Sequence, residues 1–478
     1  MIRLLTAILM LLATPCLADV RLPKVLGSKM VLQRNSEVRI WGSADAGETI
    51  QLTGDWFDKP LEVNADSNGQ WEVRLPTREA GGPHTLKIVG RNTITLQDLL
   101  FGEVWIASGQ SNMEMPLVKV SDAYTGIQDG DQEVKTANHP QIRLFQAGNV
   151  GSRKSLEDVA PGPEMYGIPP ARCEWMVCSP ETVPHFASTA YFFARELHRQ
   201  LQVPIGIIDA SWGGTPAEAW TPLAGLERVG DKAAVEQALN APDQGNQPFP
   251  TRLYNGMIHP LRKLKIQGAI WYQGEGNTPR ADKYRELFAT MIGQWRKEFD
   301  SEFSFYFVQI APFNYGGVNS AYLREAQRET LSTAKTGMVV TLDIGNLTDI
   351  HPKNKQEVGR RLALWALAKD YGREIAFSGP LYKQCRFQDG QARVRFDLAA
   401  SGLATRDGQA PSHFTIAGED KVFHPATATI EGDEIVVTSD KVPQPRAVRY
   451  AFTNDAVPNL INRDGLPASS FRTDDWPQ

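Results

Sequence analysis

Apolar and polar positions alternate in short runs at both ends of the chain, and the period changes between them. Near the start, Val38-Arg39-Ile40-Trp41 and Trp71-Glu72-Val73-Arg74-Leu75 alternate with a period close to two, the spacing of a half-buried strand. Asn68-Gly69, just before the second run, is a hairpin signal. The pattern returns after about residue 376, in Ala392-Arg393-Val394-Arg395-Phe396 and Glu434-Ile435-Val436-Val437. Between these ends, short apolar runs predict buried strands over 103–107, 205–209, 268–272, 304–310 and 338–341. Amphipathic stretches alternate with them. Residues 187–201 place Ala187, Ala190, Tyr191, Ala194, Leu197 and Leu201 on one helical face, and 353–371 do the same with Val358, Leu362, Trp365 and Ala366. Strands alternating with helices predict an α/β unit with a parallel sheet. The organisation read from the pattern is an N-terminal β unit over 19–97, an α/β unit over 98–375 and a C-terminal β unit over 376–478. Residues 116–175 form a long irregular segment suited to a lid or loop insertion. There is no internal repeat and no low-complexity stretch.

The first 18 residues do not fit this scheme. Arg3 is followed by an apolar run over 4–13, and Cys16-Leu17-Ala18 ends in a small residue. That is the form of a secretory signal peptide cut near Ala18, so the expected product is exported. No later apolar run approaches the roughly 20 residues of a membrane-spanning helix, so membrane insertion is not expected. Fifty Lys and Arg against 55 Asp and Glu give a net charge of −5. Without a basic patch, that argues against a nucleic-acid partner. Beyond the leader the cysteines are Cys173, Cys178 and Cys385. Cys173 and Cys178 are close enough in sequence to pair in an oxidising compartment, and the odd count leaves at least one thiol over. Neither CxxC nor HExxH occurs, so no zinc site is indicated, and no cofactor is expected. The 11 Trp suit a core, and they also suit sugar-binding faces.

Ligands of open parallel α/β sheets bind outside the carboxyl ends of the strands, and polar, glycine-rich sequence collects there. Ser108-Gly109-Gln110-Ser111-Asn112-Met113 follows the first predicted strand and Ser211-Trp212-Gly213-Gly214-Thr215-Pro216 the second. Gln273-Gly274-Glu275-Gly276-Asn277 follows the third, and Thr348-Asp349-Ile350-His351-Pro352 comes past the fifth. Together they offer a hydroxyl, accessible backbone N–H groups, amides, carboxylates and an imidazole, which are the parts acyl transfer needs. A serine hydroxyl needs a base to take its proton. Ser111 is therefore the candidate nucleophile and His351 the candidate base, titrating near neutrality. Asp349 is the candidate to orient the ring. The N–H groups of Ser111 and of Gly213 or Gly214, with an amide from Gln273 or Asn277, are candidate oxyanion donors. Glu218 and Glu275 are candidate substrate contacts.

Each motif also has a plainer reading. A serine in a loop is commonly a cap or turn residue, Gly213-Gly214 a tight turn, and Glu218 a capping or buried paired carboxylate. His259 competes with His351, but it lies in a helical stretch before the third strand, away from the carboxyl ends. His185 and His198 lead into the second strand and have the same problem. Four polar motifs at successive strand ends are harder to explain as structure alone.

Gly-Gln-Ser-Asn-Met at 109–113, Trp-Gly-Gly-Thr-Pro at 212–216, Trp-Tyr-Gln-Gly-Glu-Gly-Asn at 271–277 and Asp-Ile-His-Pro at 349–352 together resemble the sialate O-acetylesterases, within the SGNH hydrolase superfamily. Met30-Val31-Leu32-Gln33-Arg34, Tyr254-Asn255-Gly256-Met257-Ile258-His259-Pro260 and Gly465-Leu466-Pro467-Ala468 extend the likeness over nearly the whole chain. The resemblance implies a three-layer, flavodoxin-like catalytic unit with β-sandwich-like modules around it. It also implies metal-independent removal of O-acetyl groups from carbohydrate, with Ser111 as nucleophile and His351 as base. Two departures leave roles open. The superfamily spacing would put the acid at Thr348, whereas Asp349 is two positions before His351, so Asp343 or a backbone carbonyl could orient the ring instead. The Gly-x-Asn block is altered, so Gln273 competes with Asn277 as the amide donor. Met113 stands where the Gly-x-Ser-x-Gly elbow needs its last glycine, which argues against an ordinary α/β-hydrolase. O-acetylated sialic acid is the substrate the family name implies, with acetylated xylan or xyloglucan as the alternative. A non-catalytic sugar-binding protein is the alternative from a different class.

Overall fold

The computed structural model describes residues 19–242 and 248–477. The leader read over residues 1–18 lies outside them. Among the described residues no helix is long and apolar enough to cross a membrane.

The central sheet is built from β1 (Thr93–Gly109), β2 (His139–Gln146), β3 (Met176–Cys178), β4 (Ile205–Ser211), β5 (Gly268–Tyr272), β6 (Ser304–Val308) and β7 (Thr336–Val339), in the spatial order β7-β6-β5-β1-β4-β2-β3. All neighbours are parallel except β2 and β3, which are antiparallel. β4, β5 and β6 are buried along their whole length, as parallel strands covered on both faces must be. The side chains divide by alternation. Ala107, Ile205, Ile207, Ile270, Tyr306 and Val308 pack with α2 (Ser188–Leu201) and α5 (Lys355–Lys369). Ile106, Ile208, Trp271, Phe305 and Phe307 pack on the other side with α3 (Ala281–Glu298) and α4 (Ala321–Glu329). The result is a helix–sheet–helix sandwich. Of the tryptophans, Trp105, Trp212, Trp220, Trp271 and Trp295 are buried in these two interfaces or beside them.

All five strands expected in this unit are present: 268–272 matches at both ends, three others differ by two residues at one or both ends, and β1 begins ten residues before the expected 103. β2 and β3 are additions, lying within or just beyond the segment read as irregular. β1 crosses residue 97 without a break. Its first half pairs antiparallel with Gly81–Val89 in the N-terminal β unit, and its second half enters the parallel sheet. After the α/β unit come two four-stranded antiparallel sheets. The sheet that contains Ala447–Tyr450 is fastened to it by the buried Arg324 of α4, which donates to the carbonyls of Ala451 and Thr453. The three described cysteines are free thiols, and Cys173 and Cys178 are buried separately, so the pairing their spacing allows is not made.

Because β1 sits in the middle, with β4 and β2 on one side and β5 to β7 on the other, its carboxyl end is the point where the strand order reverses. Such a point leaves a crevice between diverging loops. Gly109 closes β1 with φ +135°, and a Cβ there would lie 2.2 Å from the Tyr272 carbonyl oxygen. Only glycine allows the chain to leave the sheet this close to β5.

Candidate active site

Directly after Gly109 the chain turns into α1 (Ser111–Glu114), a single helical turn. Ser111 opens on a cavity of about 360 Å³ together with Gly213, Gly214, Glu275 and His351. The structure thus brings together residues from four separate strand-end loops. The aromatic walls are Tyr124, Tyr166 and Tyr315. Tyr124 and Tyr166 come from the segment read as a lid or insertion. The cavity is lined by tyrosine, and no tryptophan reaches it. A larger groove of about 690 Å³ lies at the opposite, amino ends of β5 to β7, lined by Lys265, Ser304, Lys335 and Asp370 among others. Ser304 there donates to the Asp370 carboxylate at 2.5 Å, and none of the four strand-end motifs reaches the groove.

The Ser111 N–H has no acceptor among the described residues, and neither has the Gly214 N–H. Gly213 is different. Its N–H donates to Glu114 Oε2 at 2.7 Å, so it is not available to an oxyanion, and Gly214 is left as the backbone donor of that loop. Glu114 is fully engaged: Oε2 also accepts from the Tyr124 hydroxyl at 2.5 Å, and Oε1 accepts from Asn149 at 2.6 Å. A Cβ on residue 213 would meet Tyr124 Oη at 2.5 Å and Glu114 Oε2 at 2.9 Å, which is why glycine stands there. Behind the loop, Asp209 at the end of β4 is buried. Burial, with the Glu114 carboxylate adding to it, pushes its carboxyl up to about 8.

The expected amide donors do not reach the cavity. Gln273 Nε2 donates to the Thr215 carbonyl at 3.2 Å and to Asn277 Oδ1 at 2.7 Å. Asn277 Oδ1 also accepts from the Ala217 N–H, and Asn277 Nδ2 donates to Glu218 Oε2 at 2.9 Å. Glu218 completes the chain with Arg280, at 3.1 Å. Gln273, Asn277 and Glu218 therefore brace the 213–217 loop against the 273–277 loop. Of the two carboxylates expected at the substrate, Glu275 lines the cavity and Glu218 is a buried paired carboxylate.

His351 presents its ring edge-to-face with Tyr124, with centroids 5.4 Å apart. Burial first, then the Lys355 ammonium, pull its pKa down to about 4, while the Asp349 carboxylate and a hydrogen bond to the Ala123 backbone act in the opposite direction. The ring is thus neutral through the whole range near pH 7, with a lower pKa than its residue type suggests. No hydrogen bond joins Ser111 to His351; catalytic contacts of this kind tighten in the complex with substrate. Asp349 Oδ1 accepts the backbone N–H of His351 at 2.9 Å and stands 3.8 Å from ring Nδ1, beyond hydrogen-bond reach. Asp343, the other carboxylate considered, is held by Arg361 in a two-pronged pair at 2.7 Å on each oxygen, so it cannot serve the ring. His259 binds the Leu156 carbonyl and does not line this cavity.

Beside Ser111, Glu275 belongs to a cluster with two residues that had no expected role, Asn112 and Lys355. Lys355 Nζ donates to Asn112 Oδ1 at 2.5 Å, and Asn112 Nδ2 donates to Glu275 Oε1 at 2.6 Å and to the Ile350 carbonyl at 3.0 Å. Burial lowers the Lys355 pKa to about 7, with Glu275 and Asp349 opposing. Burial raises that of Glu275. Asn112 was quoted as a motif letter only. Lys355, four residues past His351 at the start of α5, carried no signal beyond that spacing. Among the described residues no group of three or more His, Cys, Asp or Glu could hold a metal ion.

A family model for sialic acid-specific acetylesterases, a class of carbohydrate esterase, matches residues 102–368. Sialate O-acetylesterase of Mus musculus is 29% identical over 421 residues, 76% of either chain. That of Homo sapiens is 29% identical over 409 residues, 76% of this chain and 73% of the human one. The crystal structure of a carbohydrate acetylesterase from Xanthomonas citri is 43% identical, with coverage of 96% of this chain and 100% of its own and a TM-score of 0.86. The matched residues run from within β1 to the end of α5 and contain every loop that meets at the cavity, and the chain belongs to the sialic acid-specific acetylesterase family of carbohydrate esterases.

Proposed function

We propose that this chain is a serine esterase that removes O-acetyl groups from carbohydrate, with an SGNH-type catalytic unit and without a metal. The observation that carries the reading is the shared cavity. Ser111 and a neutral His351 open on it, and beside them the N–H groups of Ser111 and Gly214 lack acceptors. In this mechanism the Ser111 hydroxyl attacks the acetyl carbonyl carbon while His351 takes its proton. The negative charge that forms on the carbonyl oxygen meets the two free N–H groups. Collapse breaks the ester C–O bond, and His351 returns the proton to the departing sugar oxygen. Water then attacks the acetyl-enzyme with His351 again as base, releasing acetate and restoring Ser111.

The family name supports acetylated sialic acid as substrate. A neutral acetylated polysaccharide such as xylan or xyloglucan is the second reading, favoured by a specific observation: no lysine or arginine lines the cavity, and its one acidic side chain is Glu275. A sugar acid would find no cationic partner there. The apolar leader over residues 4–13 supports export. Acetate release from acetylated sialic acids, acetyl-xylan and acetyl-xyloglucan, measured side by side for the wild type and Ser111→Ala, tests the reading. The wild type should release acetate from at least one, and the variant should lose about three orders of magnitude or more. Activity retained in Ser111→Ala would remove Ser111 as nucleophile.

A further inference from the structure

Acyl transfer of this kind commonly uses a side-chain amide beside its backbone donors, and both amides expected to supply it are turned away. A third amide is adjacent to the nucleophile. Gln110 is 3% exposed and lines the cavity. Its backbone N–H donates to the Tyr272 carbonyl, and its own carbonyl accepts from Met113 and Glu114. Its side-chain Oε1 accepts from two backbone N–H groups, Gly274 at 3.3 Å and Gly276 at 3.1 Å. Two N–H donors converging on one atom settle which end of the amide is oxygen, because the reverse orientation would set an NH₂ against both. The NH₂ is therefore directed away from the 274–276 loop. It has no protein partner among the described residues, and it does not count among the sealed, unpartnered polar atoms of the interior.

A donor held in one orientation from behind, beside Ser111 and opening on the same cavity as Gly214, has the form of a preorganised oxyanion contact. We propose that the side-chain amide of Gln110 donates to the oxyanion, completing a three-donor hole with the N–H groups of Ser111 and Gly214. The proposal rests on the reading of Ser111 as nucleophile. It assigns Gln110 a catalytic role, and the Gln273–Asn277–Glu218 brace the task of fixing the two loops that meet behind it.

Gln110→Glu separates donation from bracing. It keeps an oxygen for Gly274 and Gly276 and replaces the NH₂ by a second oxygen. The expected result is a fall in kcat of about 100-fold or more, with KM changed by less than about threefold and thermal stability retained. A small alkyl boronic acid forms a tetrahedral adduct on a reactive serine, so its inhibition constant should weaken by a similar factor. Inhibition by the deacetylated sugar should be unaffected. If Gln110→Glu fails to fold, Gln110→Met is put through the same pair of inhibition measurements, with the same selective loss expected for the boronic acid. A kcat within about fivefold of wild type, or equal weakening of boronic acid and sugar, would overturn the proposal. Ser111→Ala run alongside keeps the two ideas apart. If it stays active, the nucleophile assignment falls. If it is inactive while Gln110→Glu turns over normally, the nucleophile stands and the amide donor falls.

Discussion

The side-chain amide of Asn112 donates to the carbonyl of Ile350 at 3.0 Å, which ties the residue after Ser111 to the residue before His351. The same amide binds Glu275, and its oxygen accepts from the buried Lys355. One side chain thus sets the spacing between candidate nucleophile and candidate base, and Lys355 prevents it from turning. Asn112→Ala should cost about 2–3 kcal/mol of stability, since it leaves buried charged partners unsatisfied. It should also lower kcat at least tenfold, because small displacements of reacting groups are expensive. Urea unfolding and steady-state kinetics check both. An unchanged kcat would mean that the two loops are positioned by other contacts.

The pH dependence follows from His351. Its pKa in the folded protein is about 4, below the ordinary 6.5 of an exposed ring. The neutral, proton-accepting form is present above the folded value and is lost as pH falls through it. kcat/KM should therefore stay level from about pH 8 to 5 and decline only towards pH 4. The linked stability has the same direction: the unfolded ring takes up a proton near 6.5 and the folded one does not, so the contribution shrinks as pH drops from there towards 4. Lys355→Met removes a repelling charge and should move the acid limb upward. A limb at 6–7 in the wild type would show that the ring is far better solvated than its burial implies.

Asp209 gives the opposite sign. Its carboxyl is raised to about 8 by burial and by Glu114, so the folded state holds a proton that the unfolded state releases near 4. The stability linked to that proton is complete below about pH 4 and is lost as pH rises towards 8. Asp209→Asn has no proton to lose. It should raise Tm by several degrees at pH 8.5 and change it little at pH 5, as read in parallel thermal melts. Equal Tm differences at both values would place the Asp209 titration outside this range.

The sheet was legible because its strands are short apolar runs buried on both faces, a pattern that does not depend on distant partners. β2 was not, because Arg143 interrupts Ile142, Leu144 and Phe145. That arginine is buried by pairing with Asp98, at 2.6 and 3.0 Å, and by donating to the Pro140 and Lys29 carbonyls, and Asp98 and Lys29 are partners supplied by tertiary structure. The site shows the same division. The strand-end loops could be found from composition and topology, and Ser111, Gly214, Glu275 and His351 do meet in one cavity. Side-chain direction could not be read. Gln273 and Asn277 have the right chemistry but point at each other and at the 215–217 loop. Gly213 lost its N–H to Glu114, a contact no local spacing announces. Tyr124 and Tyr166 lie in irregular chain, where no periodicity says which residues turn inward.

Asp349 is the remaining distinction between a triad and a dyad. Its oxygen caps the backbone N–H of His351 and stands 3.8 Å from the ring nitrogen, with 31% of its side chain exposed. A unit charge near 4 Å from a developing imidazolium contributes between about 1 and 4 kcal/mol, depending on solvent screening, and this exposure argues for the lower part of that range. An asparagine can still cap the N–H through its oxygen but supplies no charge. Asp349→Asn should therefore fold normally and lose about tenfold in kcat, whereas His351→Ala should lose about 1,000-fold or more. Measuring both variants against wild type at pH 7 decides the matter. A loss in Asp349→Asn as deep as that in His351→Ala would mean that the carboxylate closes on Nδ1 when substrate binds and holds the ring itself. A shallow loss leaves Ser111 and His351 as a dyad whose ring is packed edge-to-face against Tyr124.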